Sequence, residues 1–215
     1  MLLVFPHENR REPPSLWHEF FPRSEMRWEW DSGGDNRVAE LWHLRERLSQ
    51  SGKVVYGKWY RGKATLISLK LFTALIRAAN PDLPEVRGLT REAREILDLL
   101  EEDSPLSTKQ LKRLSGLTGR AAETLYQRSL KELWSRGLIV AYGEVEEGAF
   151  PSLAIGATKV LFEDLWRSAA EMSREEAEAF IAKALPAGSA FEKFYRSLAK
   201  QWQEQAREAS DEDFF

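Results

Sequence analysis

The residues best suited to chemistry in this 215-residue chain are cations placed among aromatic and hydroxyl side chains. Between residues 108 and 136, Lys109, Lys112, Arg113, Arg120, Arg128, Lys131 and Arg136 face only Glu123 and Glu132. The spacing predicts a helix from Thr118 to Arg136 that buries Ala122, Leu125, Tyr126, Leu130, Leu133 and Trp134. Removing that stripe leaves Arg120, Glu123, Thr124, Gln127, Arg128 and Lys131 outward. An arginine can bond guanine at two atoms and a glutamine can do the same to adenine, while Thr118 and Thr124 suit phosphates or base edges. Lys109, Lys112 and Arg113, on a preceding short helix, would meet the DNA backbone. About five to seven phosphate contacts would make binding fall steeply with salt. The competing reading keeps the same helix but leaves its basic face solvated and assigns the segment to protein contacts.

A second basic stretch, Lys53 to Thr65, interleaves Lys58, Arg61 and Lys63 with Tyr56, Trp59 and Tyr60. Cations for phosphate beside rings for stacking suit distorted or single-stranded DNA. Alternate residues of a hairpin face opposite sides, so the same pattern also fits an amphipathic sheet edge. In Trp28-Glu29-Trp30-Asp31 two carboxylates lie among indoles. Burial there would raise a carboxyl pKa toward the range useful for proton transfer, which makes Glu29 and Asp31 the candidate catalytic groups. The alternative packs the indoles on the core and turns both carboxylates to water. His7, His18 and His43 form no ligand-spaced pair, cysteine is absent, and no glycine-rich phosphate loop or nucleophile elbow occurs. Neither metal nor cofactor is expected.

Local signals place these residues on elements. The opening residues through Pro22 are broken by prolines and read as an irregular arm, with a helical turn near Trp17 and a short strand over Arg27–Trp30. Asp35 caps a helix to about Gln50 with Val38, Leu41, Trp42, Arg45 and Leu48 on one face. Lys53 to Ile67 reads as a hairpin, followed by a helix capped by Ser68 and running to about Ala79. Asn80-Pro81-Asp82-Leu83-Pro84 excludes a continuing helix and reads as a linker. Beyond it, Thr90 caps a helix burying Ala93, Ile96, Leu97 and Leu100, and Ser107 with Gln110 opens a short one burying Leu111 and Leu114. Thr118 caps the third helix, which Gly137 ends. Strands over Leu138–Val145 and Leu153–Leu161 complete the succession of a winged helix-turn-helix. Its wing tip carries Glu144, Glu146 and Glu147, an acidic tip that suits contact by Phe150 with a partner or the protein body better than a grip on phosphate. Helices near 162–170, 174–185 and 190–208 follow, the second opened by a Ser173–Glu176 capping box.

The expected fold is mainly α in an α+β arrangement. Residues 1–80 form an N-terminal α+β region, 81–88 a linker, 89–162 the winged helix, 163–209 a helical region and 210–215 an acidic tail. The tail, ending Asp213-Phe214-Phe215, looks like those with which single-strand-binding proteins recruit repair partners, or is a solvated end. A hydrophobic fraction of 43% with 30% charged residues suits a globular chain, and the net charge of −3 conceals two basic patches on an acidic body. No apolar stretch approaches a membrane span, and MLLVFPHENRREPP lacks the pattern of a signal peptide, so a cytoplasmic protein is expected.

The sequence Tyr56-Gly57-Lys58-Trp59-Tyr60-Arg61-Gly62-Lys63-Ala64-Thr65, followed by the winged-helix pattern, resembles small bacterial relatives of the AlkZ-type DNA glycosylases over residues 38–162. That resemblance implies a winged-helix protein acting on double-stranded or damaged DNA. The enzymes of that group unhook alkylated or crosslinked bases with a Gln-x-Gln or Gln-x-Asp pair. Here such a string occurs as Gln201-Trp202-Gln203, outside the resembling segment, which implies a non-catalytic relative. Two other functions fit the same elements. One is a transcriptional regulator in which the C-terminal helices form a homodimer; the other is an active glycosylase using Glu29 or Asp31.

Overall fold

A computed structural model of the chain describes residues 1–28, 33–145 and 152–212, the side chains of 121 and 205–212 excepted. Among the described residues the fold is α+β, with ten helices and six strands. The strands are β1 (Leu2–Leu3), β2 (Val54–Tyr60), β3 (Lys63–Ser68), β4 (Leu106–Ser107), β5 (Ile139–Val145) and β6 (Ser152–Ala157). The helices are α1 (Leu16–Phe20), α2 (Asn36–Gln50), α3 (Leu69–Ala79), α4 (Arg91–Glu102), α5 (Thr108–Leu114), α6 (Arg120–Ser135), α7 (Thr158–Leu161), α8 (Glu163–Glu171), α9 (Arg174–Ala184) and α10 (Ala190–Glu212).

Two hairpins merge into one antiparallel sheet of order β1-β3-β2-β5-β6-β4. The β2–β3 turn is tight because Arg61 and Gly62 both adopt positive φ (49° and 72°), the twist that matches flanking strands in a two-residue hairpin. The hairpins join where Tyr56 pairs with Ala141. Short β4, lying between α4 and α5, pairs with β6 through Leu106–Ile155 and Ser107–Ala154.

Alternation along β2 places α2 and α6 on opposite faces of this sheet. The Tyr56 hydroxyl reaches Arg45 of α2, whereas a Cβ on Gly57 would stand 3.4 Å from Trp134 of α6. On β5 the open side of Gly143 is filled by Gln50 of α2. One continuous apolar core runs through both hairpins and the helices, from Leu3 and Trp17 to Phe191 and Leu198.

Most element types agree with their sequence patterns, and the differences have local causes. Asp35 caps α2, and the capping boxes Ser107–Gln110 and Ser173–Glu176 close in both directions. Gly137 ends α6 at φ 68°, with Leu138 N–H bonding the Leu133 carbonyl and Gly137 N–H that of Trp134. Thr118 is not the cap of α6: Gly119 stands there at φ 87°, and Thr118 is one residue too early. Thr90 and Ser68 occupy cap positions without capping, and the Thr90 hydroxyl donates instead to Glu132 at 2.7 Å. Leu114 does not enter the core but is 55% exposed, because α5 ends with it. Leu125 is 37% exposed, and Ser129, which donates to the Leu125 carbonyl, is buried in the stripe instead. The second predicted strand stops at Ala157 and continues as α7. Arg27 and Trp28 lie in no strand, and Trp30 falls outside the described residues.

Candidate nucleic-acid interface

The outward side of α6 is built by what holds its inner side. Tyr126 donates its hydroxyl to the Thr108 carbonyl at 3.1 Å, tying α6 to the first residue of α5. Burial, then the Glu123 charge, pushes the Tyr126 pKa up to about 12, so it remains a donor at neutral pH. Glu132 accepts from Thr90 at the start of α4, and Trp134 covers Gly57 of the sheet. These contacts come from three directions and set the rotation of the helix about its axis.

With that rotation, Thr118, Arg120, Thr124, Gln127, Arg128 and Lys131 are all exposed. No carboxylate among the described residues lies within ion-pair distance of Arg120, Arg128 or Lys131. Lys109 and Arg113 are exposed on α5. Lys112 is spoken for: its ammonium pairs with Glu123, which also accepts from Gln127 at 2.9 Å. The Lys112 hydrogen bond, then that of Gln127, holds the Glu123 carboxyl below the usual range. Arg136, counted with this patch in the sequence, is instead buried, donating to Asn80 and to the carbonyls of Arg87 and Gly88. The C-terminal helices α8, α9 and α10 pack on α3, and the α6 side chains named above remain exposed.

The basic hairpin divides differently. Lys58 and Arg61 are exposed and Lys63 half-buried, but Tyr56, Trp59 and Tyr60 are each only 3% exposed. Trp59 meets Phe194 of α10 edge-on at 5.1 Å, and Tyr60 meets Phe191 and Phe194 at 5.0 and 5.1 Å. These rings are therefore core and not a stacking surface, as alternation along the strand allowed.

A polar cluster that the sequence reading did not assemble sits on the opposite sheet face. Arg45 of α2 is buried, its guanidinium 3.9 Å from the centre of the Trp42 ring and paired with Glu144 of β5. The other Glu144 oxygen accepts from Trp42 Nε1 at 3.3 Å, and Arg45 reaches the Tyr56 hydroxyl at 3.4 Å. Burial raises the Tyr56 pKa despite the nearby Arg45 charge. Partial desolvation of its ammonium, then Arg45, lowers that of Lys58, although the residue as a whole is exposed. The spacing of Trp42 and Arg45 on one helix face was a usable signal, but their partner Glu144 lies 99 residues from Arg45. Glu144, read as part of an acidic wing tip, is turned inward onto α2; Glu146, Glu147 and Phe150 lie outside the described residues.

Glu29 and Asp31 also lie outside the described residues, as do Asp213, Phe214 and Phe215. Gln201 and Gln203 are exposed on α10, and Trp202 between them packs on Tyr195 at 6.3 Å. Among the described residues no cluster of three or more histidine, aspartate or glutamate side chains is suited to a metal, and no helix is long and apolar enough to cross a membrane.

Neither the curated proteins nor the solved structures include a match to this chain. A model of the family described as AlkZ related matches residues 1–203, extending the resemblance beyond residues 38–162 at both ends and taking in Gln201-Trp202-Gln203. Covering almost all of the α+β fold, that match places the chain in the AlkZ-related family.

Proposed function

We propose that this AlkZ-related protein binds double-stranded DNA through a winged helix-turn-helix over residues 89–162, with α6 in the major groove. The order α4, β4, α5, α6 and then the β5–β6 hairpin, with β4 paired to β6, suits that motif. The observation carrying the reading is the outward face of α6, which is open to solvent and presents Arg120, Arg128 and Lys131 with no ion-pair partner among the described residues. Thr124 lies on the same side and can address base edges, Lys109 and Arg113 approach from α5 toward the phosphates, and Lys112 and Gln127 join them only on leaving Glu123.

Damaged DNA enters the reading through the AlkZ-related family to which the chain belongs. The Gln201/Gln203 pair does not supply excision chemistry in this reading. Positions two apart on a helix point about 200° apart, so the two amides do not converge on one water. The protein is thus proposed as a DNA-binding relative that does not use that pair catalytically.

The test is a titration of labelled duplex, plain and alkylated, against the wild type and a variant with Arg120, Arg128 and Lys131 all changed to Glu, at two salt concentrations. The variant is expected to lose at least roughly a hundredfold in affinity at low salt and to show a shallower salt dependence. Equal affinity of the two proteins overturns the reading.

A further inference from the structure

We propose that Trp42, Phe5 and Trp28, together with Lys58 and the Arg45–Glu144 pair, form a second nucleic-acid site that takes an unpaired DNA strand on the α2 face of the sheet. It goes beyond the duplex reading for α6 and lies on the other side of the sheet from it.

Trp42 is 39% exposed, yet its ring is fixed from several sides. The Arg45 guanidinium lies 3.9 Å from its centre, Glu144 holds its N–H, and Phe5 stacks beside it at 6.1 Å with the planes 26° apart. Phe5 in turn meets Trp28 at 5.2 Å. Trp28, Phe5 and Trp42 thus form a row of partly exposed rings contributed by the N-terminal arm and α2. Holding an exposed indole with a buried ion pair is an expensive way to build a surface, since burying the two charges costs most of what their attraction returns. A ring fixed in one orientation is what stacking on a flat base needs, because little freedom is lost when the base arrives.

Charge selects the partner. Arg45 is neutralised by Glu144, but among the described residues Lys58 and, further along the hairpin, Arg61 and Lys63 have no ion-pair partner. Lys58 stands two residues along β2 from Tyr56, whose hydroxyl meets Arg45, and it is near enough to Arg45 for that charge to act on it. Rings in a row with unneutralised cations alongside suit bases and phosphates of one strand. The hairpin thus supplies cations while its own rings stay in the core, and the stacking surface comes from Trp42, Phe5 and Trp28. A straight duplex lying in contact with α6 does not also reach α2 through the intervening sheet, so the strand bound here is a separate or unpaired one.

The test measures binding of a fluorescently labelled oligothymidine to the full chain. Trp42→Ala is expected to weaken binding roughly tenfold and Trp42→Phe, which keeps a stacking ring, much less. Lys58→Glu is expected to weaken binding and flatten its salt dependence, with thermal melts confirming that each variant folds. The triple α6 variant is expected to keep its oligothymidine affinity, which separates failure here from failure of the duplex reading. The inference is overturned if the wild type does not bind oligothymidine, if Trp42→Ala and Lys58→Glu bind it as the wild type does, or if the α6 changes abolish it.

Discussion

Asn80 and Arg136 bond each other in both directions across 56 residues: Arg136 Nε donates to Asn80 Oδ1 at 3.0 Å, and Asn80 Nδ2 donates to the Arg136 carbonyl at 3.0 Å. Asn80 Nδ2 also satisfies the Ile76 carbonyl at 2.8 Å, so one amide closes the last turns of both α3 and α6. Burial lowers the Arg136 pKa to about 10, leaving it charged at neutral pH with amide and carbonyl oxygens in place of a carboxylate. Asn80→Ala strips a buried guanidinium of one acceptor and the Arg136 carbonyl of its side-chain donor, while the Ile76 carbonyl keeps the Asn80 backbone N–H, a loss of about 2–3 kcal/mol. Thermal unfolding should show Tm lower by roughly 5–10 °C. Adding Arg136→Met should recover part of the loss, since the unsatisfied charge goes with it.

The Arg45–Glu144 pair, 5% and 14% exposed at its side chains, joins α2 to β5. Glu144→Gln should therefore cost about 3 kcal/mol in denaturant unfolding, because Arg45 stays buried without a counter-charge. Arg45→Ala should cost at least as much, adding the lost packing on Trp42 and Tyr56. The double variant should lose clearly less than the two single losses together, as expected for partners in one interaction. Strict additivity would mean that the pair does not act as a unit.

These two connections show where a sequence stops being informative. Asp35, Ser107–Gln110, Ser173–Glu176 and Gly137 act within one helical turn, so their roles were legible from spacing. The merger of two hairpins at Tyr56–Ala141 was not, because nothing local in either strand specifies a partner 85 residues away. Nor could spacing assign the rings of the basic hairpin. Tyr56, Trp59 and Tyr60 are consumed by Arg45 and by the α10 phenylalanines, whose approach depends on the whole fold. Arg120, Arg128 and Lys131 were found exposed as expected because a helix face follows from its own period, whereas Lys112 and Gln127 were taken up by Glu123, on the same outward side as Gln127.

Glu123 is an acid on the proposed groove-facing side, and it holds Lys112 and Gln127. Glu123→Gln removes a negative charge from the DNA face and frees Lys112 for phosphate. Duplex affinity should rise by roughly three- to tenfold at low salt, with the slope of log affinity against log salt steeper by about one. A fall in affinity would instead mark Glu123 as a base-reading group, since a carboxylate can accept from a cytosine amino group.

The Glu176 carboxyl closes the capping box of α9 by accepting from Ser173 N–H at 2.8 Å. That backbone bond, then the Ser173 hydroxyl, holds its pKa below the ordinary glutamate value. A carboxyl whose pKa is lowered on folding contributes stability above its unfolded pKa and loses it as the pH falls through the lowered folded value. Glu176→Gln keeps an acceptor for Ser173 but removes the charge at the helix N-terminus, so it should be slightly less stable than the wild type at pH 7. Thermal melts should show that gap constant down to about pH 5 and closing as the pH falls below the ordinary glutamate value and through the lowered folded one, where the wild type comes to carry a neutral side chain as the variant does. A gap persisting at the acid end would mean that shape and packing at the start of α9, and not the ionised carboxylate, distinguish the two.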